Sequence, residues 1–372
     1  MTPLAPSLDP LTIADPWLSL AASTALSVSL VAGLALAVCR CLAGRPAPLR
    51  HAVLLTAILV AVAAAPLHAV VRSCGWGWTT MPGMTSQQSM AAADAPRHAA
   101  TDEHGLAPHG SLPAPDATVM TQAGREARSQ TLTTMSPRTV GTTLCWLWLA
   151  GIAAGLLFLA RDVIRLHRFL AALRPCDEPE AIRCLAHAAR AVGLARPPRL
   201  CESASAAMPL VACGTSPVIV LPAGFARRVD AERLFAVLAH ESAHVVRGDL
   251  WTGFLQRAAA IGFWWCPAIA AVNRRLCDVR EEICDSHVAR AQGRGLPLAE
   301  TLLELARGLQ GSRRPLAFGM LGTIGGRDGL AGRVARLLEP RPGDTHLGRR
   351  ARLAVVGFLV AATTIVTATT VT

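Results

Sequence analysis

The stretch AVLAHESAHVVRGDL, residues 236–250, is the most informative part of this chain. If it forms a helix, His240 and His244 lie four residues apart and project from the same face. Two imidazoles in that arrangement can bind one Zn²⁺. Glu241 then stands beside the open coordination position, where a carboxylate can take a proton from water. The alternative is that two histidines merely lie on an amphipathic helix, so the motif needs a third ligand.

The residues on either side of the motif are typical of the two ends of a helix. Asp230 can cap the N-terminus, Glu232 falls in the first turn, and Gly248 can end the helix. An apolar stripe lies between them, formed by Leu234, Val237 and Leu238. We interpret the Arg247–Gly248–Asp249 turn as a helix stop with a local ion pair rather than as a catalytic element.

A third ligand is expected in VREEICDSHV, residues 279–288, a segment typical of a helix. Glu281 and Asp285 are four residues apart and share a face, so one can bind the metal while the other orients a ligand histidine. Glu282 competes for the ligand role, but it lies about 100° around the helix from Glu281. A surface salt bridge between Glu281 and a neighbouring arginine is the simpler alternative.

Together these segments resemble the membrane zinc peptidases typified by the BlaR/MecR antibiotic-sensor antirepressor proteases. The shared pattern is HESAH (240–244), an apolar segment ending in CPAIAAVNRR (266–275), and then REEICD (280–285). The upstream segment MPLVACGTSPVIVLPAGF (208–225) resembles the strand and turn that precede the zinc helix in that family. The resemblance covers roughly residues 160–340 and depends on several motifs in one order.

The resemblance implies a zinc metalloendopeptidase. His240, His244 and Glu281 would bind the metal, and Glu241 would be the catalytic base. Asp285 would contact a ligand histidine and orient its ring. Zn²⁺ is the one cofactor expected. Because the chain contains no Tyr, the group that stabilises the oxyanion must be His, Arg, Asn, a backbone N–H or the zinc itself.

The resemblance also implies a biological role. In sensor members of that family, an outer ligand-binding domain triggers cleavage of a cytoplasmic transcriptional repressor. This sequence stops at Thr372, directly after its last apolar segment, and we expect it to lack the C-terminal penicillin-binding sensor domain. The expected substrate is a cytoplasmic protein such as a winged-helix repressor, and a sensor partner protein could supply the stimulus. The alternatives are a membrane quality-control zinc protease and a non-catalytic membrane receptor or scaffold.

The composition is typical of a membrane protein, because 52% of the residues are hydrophobic and the mean hydropathy is +0.39. Apolar runs close to the roughly 20 residues that cross a bilayer occur near 16–38, 52–71, 141–160 and 353–372. We therefore predict a mainly α membrane protein, with a transmembrane helical bundle and a cytoplasmic zincin-like α+β metallopeptidase domain.

The arginines give the orientation. Those that follow the first and third apolar runs are Arg40, Arg45, Arg50, Arg161, Arg165 and Arg168. The positive-inside rule puts both flanks in the cytoplasm, so we expect a multi-pass protein of a bacterial inner membrane with its active site facing the cytoplasm. The net charge of +11 fits these flanks. With only 4% aromatic residues, it does not indicate binding to nucleic acid.

The expected organisation has five parts. They are two transmembrane helices in 1–72, a disordered outer loop at 73–140, a third transmembrane helix at 141–160, the peptidase domain at 161–350, and a C-terminal transmembrane helix at 351–372. Inside the peptidase domain we predict strands near 199–203, 210–213 and 218–221, and helices near 178–193, 297–310 and 329–339. Gly151 and Gly155 permit close helix packing, either within the bundle or in a dimer.

A fifth apolar stretch, residues 251–272, limits the topology. Both histidines precede it and Glu281 follows it, yet all three must meet one metal ion. A complete crossing would leave Glu281 on the wrong side of the bilayer. Arg257 and the Trp264–Trp265 pair favour an interfacial or re-entrant segment instead.

Overall fold

The computed structural model describes residues 16–74, 137–214, 216–309, 327–339 and 345–369, and these are mostly helical. The helices are α1 (Pro16–Cys41), α2 (Ala47–Ser73), α3 (Pro137–Ala171), α4 (Pro179–Ala191), α5 (Phe225–Arg228), α6 (Ala231–Arg247), α7 (Asp249–Gly262), α8 (Pro267–Gln292), α9 (Leu296–Leu309), α10 (Arg327–Leu337) and α11 (Arg349–Ala368). The strands are β1 (Arg174–Pro175), β2 (Arg199–Ser203), β3 (Leu210–Cys213) and β4 (Pro217–Pro222). The chain divides into two compact units, residues 1–78 with 147–372 and residues 79–146, and the packing described below lies within the first.

Among the described residues, four helices are long and apolar enough to cross a bilayer. They cover Leu20–Cys41 in α1, Ala47–Ser73, Gly141–Ala171 in α3, and Arg349–Ala368. Each overlaps one of the four apolar runs found in the sequence. Helix α3 begins before the predicted span and continues well beyond it, while most of the predicted outer loop at 73–140 lies outside the described residues.

Three of these helices, α1, α2 and α11, share one apolar core. Small and branched side chains fill it, among them Val31, Ala35, Leu54, Ile58 and Ala362. Alanines at such positions allow helix backbones to approach closely, which is the usual way that helices pack in a membrane. The same core also includes buried residues of α7 and α8.

The fifth apolar stretch forms a helical hairpin. Helix α7 ends at Gly262, the chain reverses over 263–266, and α8 begins with Pro267 in its first turn. The side-chain amides of Gln256 and Asn273 each donate to the backbone carbonyl of the other residue, at 3.1 and 3.2 Å. The two helices thus lie side by side and run in opposite directions, and buried residues of both belong to the core of α1 and α2.

Helix α3 packs along the outside of this hairpin. The ring of Trp264 occupies the space where a Cβ at Gly151 would lie, and a Cβ at Gly155 would come within 3.1 Å of Ile261. The indole of Trp148 donates to the carbonyl of Gly262 at 2.8 Å. Of the two uses predicted for the glycine pair, the described chain therefore shows packing within its own bundle.

The part of the chain predicted to be the peptidase domain, residues 161–350, is built on a four-stranded sheet with the order β1-β2-β4-β3. Strands β2 and β4 are parallel, whereas β1 and β3 are antiparallel edge strands. Helix α6 packs on this sheet together with α4 and α9. The predicted strands are confirmed to within one residue, and the predicted helices α4, α9 and α10 to within two. All eleven cysteines are free thiols.

Candidate metal and catalytic site

Helix α6 has the ends that its sequence predicts. The carboxylate of Asp230 accepts a hydrogen bond from the backbone N–H of Arg233 at 2.9 Å, which caps the helix. Gly248 ends the helix in the left-handed conformation, with φ of 67°. Between these ends every residue from Leu234 to His244 is buried, so α6 is the central helix of this part of the chain.

The two histidines and the first glutamate of the downstream helix meet at one point. Nε2 of His240 and Nε2 of His244 are 3.3 Å apart. The carboxylate of Glu281 lies 3.4 Å from the first nitrogen and 3.8 Å from the second. Ligand atoms around a tetrahedral zinc lie about 3.3 Å from one another. The spacing and the donor set therefore fit a zinc ion held by these three side chains.

Glu281 carries a charge that suits a metal ligand. Burial raises its pKa, but His244, His240 and Arg333 together hold that pKa well below its ordinary value. The carboxylate is therefore ionised at neutral pH. The alternative of a surface salt bridge does not describe it, because Arg280, whose Nε lies 3.8 Å away, is itself buried.

Glu241 is buried beside the two histidines, with 8% of its surface exposed. Burial raises its pKa, and the positive charges of His240 and His244 act in the opposite direction. A carboxyl group with a raised pKa can both accept and return a proton near neutral pH, which is the property required of a general base and acid.

Asp285 lies where the spacing with Glu281 predicts. Its Oδ1 is 3.2 Å from Nδ1 of His240, on the side of the ring away from Glu281, although the two atoms are not aligned for a full hydrogen bond. Arg333 of α10 binds the same carboxylate through Nε at 3.0 Å and Nη2 at 2.8 Å. Burial raises the pKa of Asp285, but Arg333 and His240 outweigh it and lower that pKa.

Asp249 supports the other histidine. Its Oδ2 lies 2.8 Å from Nδ1 of His244 and 3.3 Å from Nε of Arg247. The interpretation of this turn as a helix stop with an ion pair is confirmed, but it was incomplete, because the same carboxylate contacts a site histidine. The signal was present in the sequence: a helix-ending glycine reverses the chain and brings the next residue back beneath the last turn.

Glu282 faces away from the histidines. Its carboxylate binds Nη2 of Arg50, at the start of α2, at 2.5 Å. Of the two adjacent glutamates, Glu281 is therefore the one that meets the histidines. A partner for Glu282 could not be predicted from spacing, because Arg50 precedes it by 232 positions.

Comparison with known families decides which proteins this chain is related to. The family described as BlaR1 peptidase M56 matches residues 19–335, which is most of the chain. The chain belongs to this family. The resemblance inferred from the motifs is thus confirmed, and the chain is a membrane-associated metallopeptidase of the M56 family. No curated protein matches the chain significantly.

A second cluster in this M56 peptidase, His244, Asp249 and Cys284, also brings metal-binding atoms together. It is a poor metal site for two reasons. Burial raises the pKa of the Cys284 thiol well above its ordinary value, so a metal bound here would have to displace the thiol proton. In addition, Nδ1 of His244 already contacts Asp249, whose other neighbour is a cationic arginine. This cluster therefore supports the ring of His244.

Proposed function

We propose that this M56 family member is an integral-membrane zinc endopeptidase with the role of regulatory proteolysis. His240, His244 and Glu281 hold the metal, Glu241 is the catalytic base, and Asp285 orients His240. One observation carries the proposal. The donor atoms of His240, His244 and Glu281 lie as far from one another as the ligands of one zinc ion do, and the buried Glu241 lies beside them. A structural zinc site has no use for that glutamate.

The chain's own residues supply the proton transfers. Zinc, when bound, supplies a Lewis acid for the peptide carbonyl and the attacking water. Glu241 takes the proton from the water as it attacks, and then passes it to the nitrogen of the leaving amine. The buried position of Glu241 suits both steps, because its raised pKa brings proton affinity closer to neutral pH.

The site lies at the cytoplasmic end of the membrane helices in this proposal. Arg257 of α7 pairs with Asp162 of α3 at 3.0 Å, whereas Trp264 donates to the carbonyl of Trp148. Asp162 and Trp148, the α3 residues of these two contacts, are 162 − 148 = 14 positions apart. The hairpin therefore runs along α3 for about 21 Å. Such a hairpin enters the bilayer and returns, which favours a re-entrant segment and keeps Glu281 on the same side as the histidines.

We propose the inner membrane of a bacterium as the location, with the active site facing the cytoplasm. The arginines that follow α1 and lie within the C-terminal part of α3 support this orientation. The substrate is then a cytoplasmic protein, and a winged-helix repressor fits the antirepressor role. A sensor partner protein would transmit the stimulus to the bundle.

The test compares the full-length protein in lipid nanodiscs with Glu241→Gln and with Glu232→Gln. Glu232 is a matched control, since it lies in the first turn of the same helix and half of its side chain is exposed. We expect Glu241→Gln to keep its zinc and to lose about 10²–10⁴-fold in the rate of peptide cleavage. Metal analysis and a fluorogenic peptide assay measure the two properties. Cleavage by Glu241→Gln at the parental rate would exclude Glu241 as the base, and a parent protein that binds zinc but cleaves no peptide would leave only the receptor or scaffold function.

A further inference from the structure

Arg333 lies on α10, outside both sequence motifs, yet it contacts two of their carboxylates. Its Nη1 is 3.1 Å from Oε2 of Glu281, and its Nε and Nη2 bind the two oxygens of Asp285. We propose that Arg333 is a positioning residue of the metal site. It holds Glu281 in place for the metal and holds Asp285 against the ring of His240. This inference depends on the proposed zinc site.

The geometry requires a guanidinium group. Two of its nitrogens form a parallel pair of bonds with Asp285, at 3.0 and 2.8 Å, and the third reaches Glu281. All three nitrogens therefore contact carboxylates, and Glu281 and Asp285 already offset the charge of the guanidinium. A lysine carries one ammonium group and cannot make the forked pair and the third contact at once.

The charges at this point require a fixed cation. Asp285 is buried and Glu281 is 20% exposed; both carboxylates contact His240, and two such groups repel each other when ionised. A zinc ion would contact Glu281 directly, whereas the ring of His240 would separate it from Asp285. Arg333, with 16% of its side chain exposed, contacts both carboxylates, so its positive charge opposes their repulsion.

Another buried arginine does not replace it. Arg280 comes no closer than 3.8 Å to Glu281, and its Nε has no hydrogen-bond partner among the described residues. Arg333 is thus the residue that connects the third ligand to the support of the first. It acts through Glu281 and Asp285 rather than by contact with the substrate.

The attachment of α10 to the protein does not depend on Arg333 alone. Leu337 is buried in the peptidase core, and Val334 packs against the same core. Substitution of Arg333 is therefore expected to leave α10 in place. Arg336, one turn further along α10, has no described contact with Glu281 or Asp285, which makes it the matched control.

The experiment measures zinc affinity of the full chain in nanodiscs by competition with a chelator. The variants are Arg333→Ala, Arg333→Lys and the control Arg336→Ala. Residues that hydrogen-bond to metal ligands typically contribute about 10–100-fold to metal affinity. We expect both Arg333 variants to lose about that much and Arg336→Ala to match the parent. Millimolar guanidinium is expected to restore part of the zinc affinity of Arg333→Ala, which a purely structural defect would not allow.

The outcomes separate this inference from the proposed function. A parent protein that binds no zinc would overturn both. A parent that binds zinc and cleaves peptide, with Arg333→Lys unchanged in zinc affinity, would overturn the positioning role alone. So would a fall in kcat without a change in zinc affinity, because that result would assign Arg333 to the transition state. If Arg333→Ala fails to fold, Arg333→Lys decides the question, since it keeps the charge and the aliphatic stem.

Discussion

The two histidines of the site are supported in different ways. Behind His244 stands Asp249, which comes from the turn directly after the helix and pairs with Arg247 of the same turn. Behind His240 stands Asp285, which comes from α8 and pairs with an arginine of α10. One support forms together with α6 itself, whereas the other exists only after three helices have assembled.

The distances reflect this difference. The contact of His244 with Asp249 is 2.8 Å long and buried, whereas that of His240 with Asp285 is 3.2 Å long and not aligned for a hydrogen bond. Metal-binding histidines usually donate their second N–H to such a partner, which fixes the ring. We infer that His244 is set in place by the local chain, and that His240 is completed by tertiary packing and by the metal.

The largest effect is expected from Asp285→Ala, which removes the support that α8 provides to His240. Arg333 would lose both of its bonds to Asp285 while it stays largely buried, and breaking one partner of a buried pair costs about 3–5 kcal/mol. Zinc affinity is expected to fall about 10–100-fold as well. Chemical denaturation and chelator competition measure the two effects. Asp278→Ala, an exposed aspartate on the same helix, is the control.

Asp249→Ala should break the local support with a smaller loss of stability. Arg247, whose side chain is 13% exposed, makes one contact of 3.3 Å with Asp249 rather than a forked pair, so about 1–3 kcal/mol is expected, the cost of an unpartnered group at His244. The loss of zinc affinity should again be about 10–100-fold. A stability loss equal to that of Asp285→Ala would show that the two supports do not differ as we infer.

These two supports also differ in how far the sequence predicted them. The caps of α6, the meeting of His240 with His244 and the shared face of Glu281 and Asp285 follow from spacing along single helices, and the structure shows each of these placements. Arg333 was not, because it stands 48 positions after Asp285 and no periodicity connects them. The same is true of Arg50 and Glu282, whose contact depends on how a membrane helix packs on α8. Local chemistry was thus predictable, whereas contacts between distant elements were not.

The charge of His240 gives a further way to sharpen the comparison. Burial lowers the pKa of His240, but the carboxylates of Asp285 and Glu281 outweigh burial and raise it to about 10. The metal-free site therefore carries a proton at neutral pH that zinc must displace. We expect about one proton to be released per zinc, and zinc affinity to rise about tenfold per pH unit below that pKa.

Calorimetry in two buffers of different ionisation enthalpy measures this proton. Asp285→Asn should reduce the release, because it removes one of the charges that raise the pKa of His240. The stability of the metal-free protein has the matching dependence. The contribution of charged His240 is complete below the unfolded-state pKa of about 6.5, and it is lost as the pH rises through about 10. Zinc uptake without proton release would show that the remote carboxylates leave His240 neutral.

The smallest expected effect concerns the contact between the membrane bundle and the site helix. Arg50 of α2 is buried and binds Glu282, whose side chain is 21% exposed, at 2.5 Å. Because Glu282 can turn to water, we expect Arg50→Met to cost about 1–2 kcal/mol of stability, between the values for exposed and buried pairs. Zinc affinity should fall by less than tenfold, since Glu281 retains its own contacts.

A double-mutant cycle with Glu282→Gln isolates this contact from other effects of either substitution. Arg45→Met, an exposed position just before α2, controls for loss of a positive charge near the membrane. A clear coupling energy would mean that movement of α2 affects Glu282, which is adjacent to the proposed metal ligand Glu281. The support of His240, which comes from α8 and α10, would then respond to the bundle. The support of His244, which comes from the turn after α6, would not. Additive effects of the two substitutions would leave the support of His240 dependent on α8 and α10 alone.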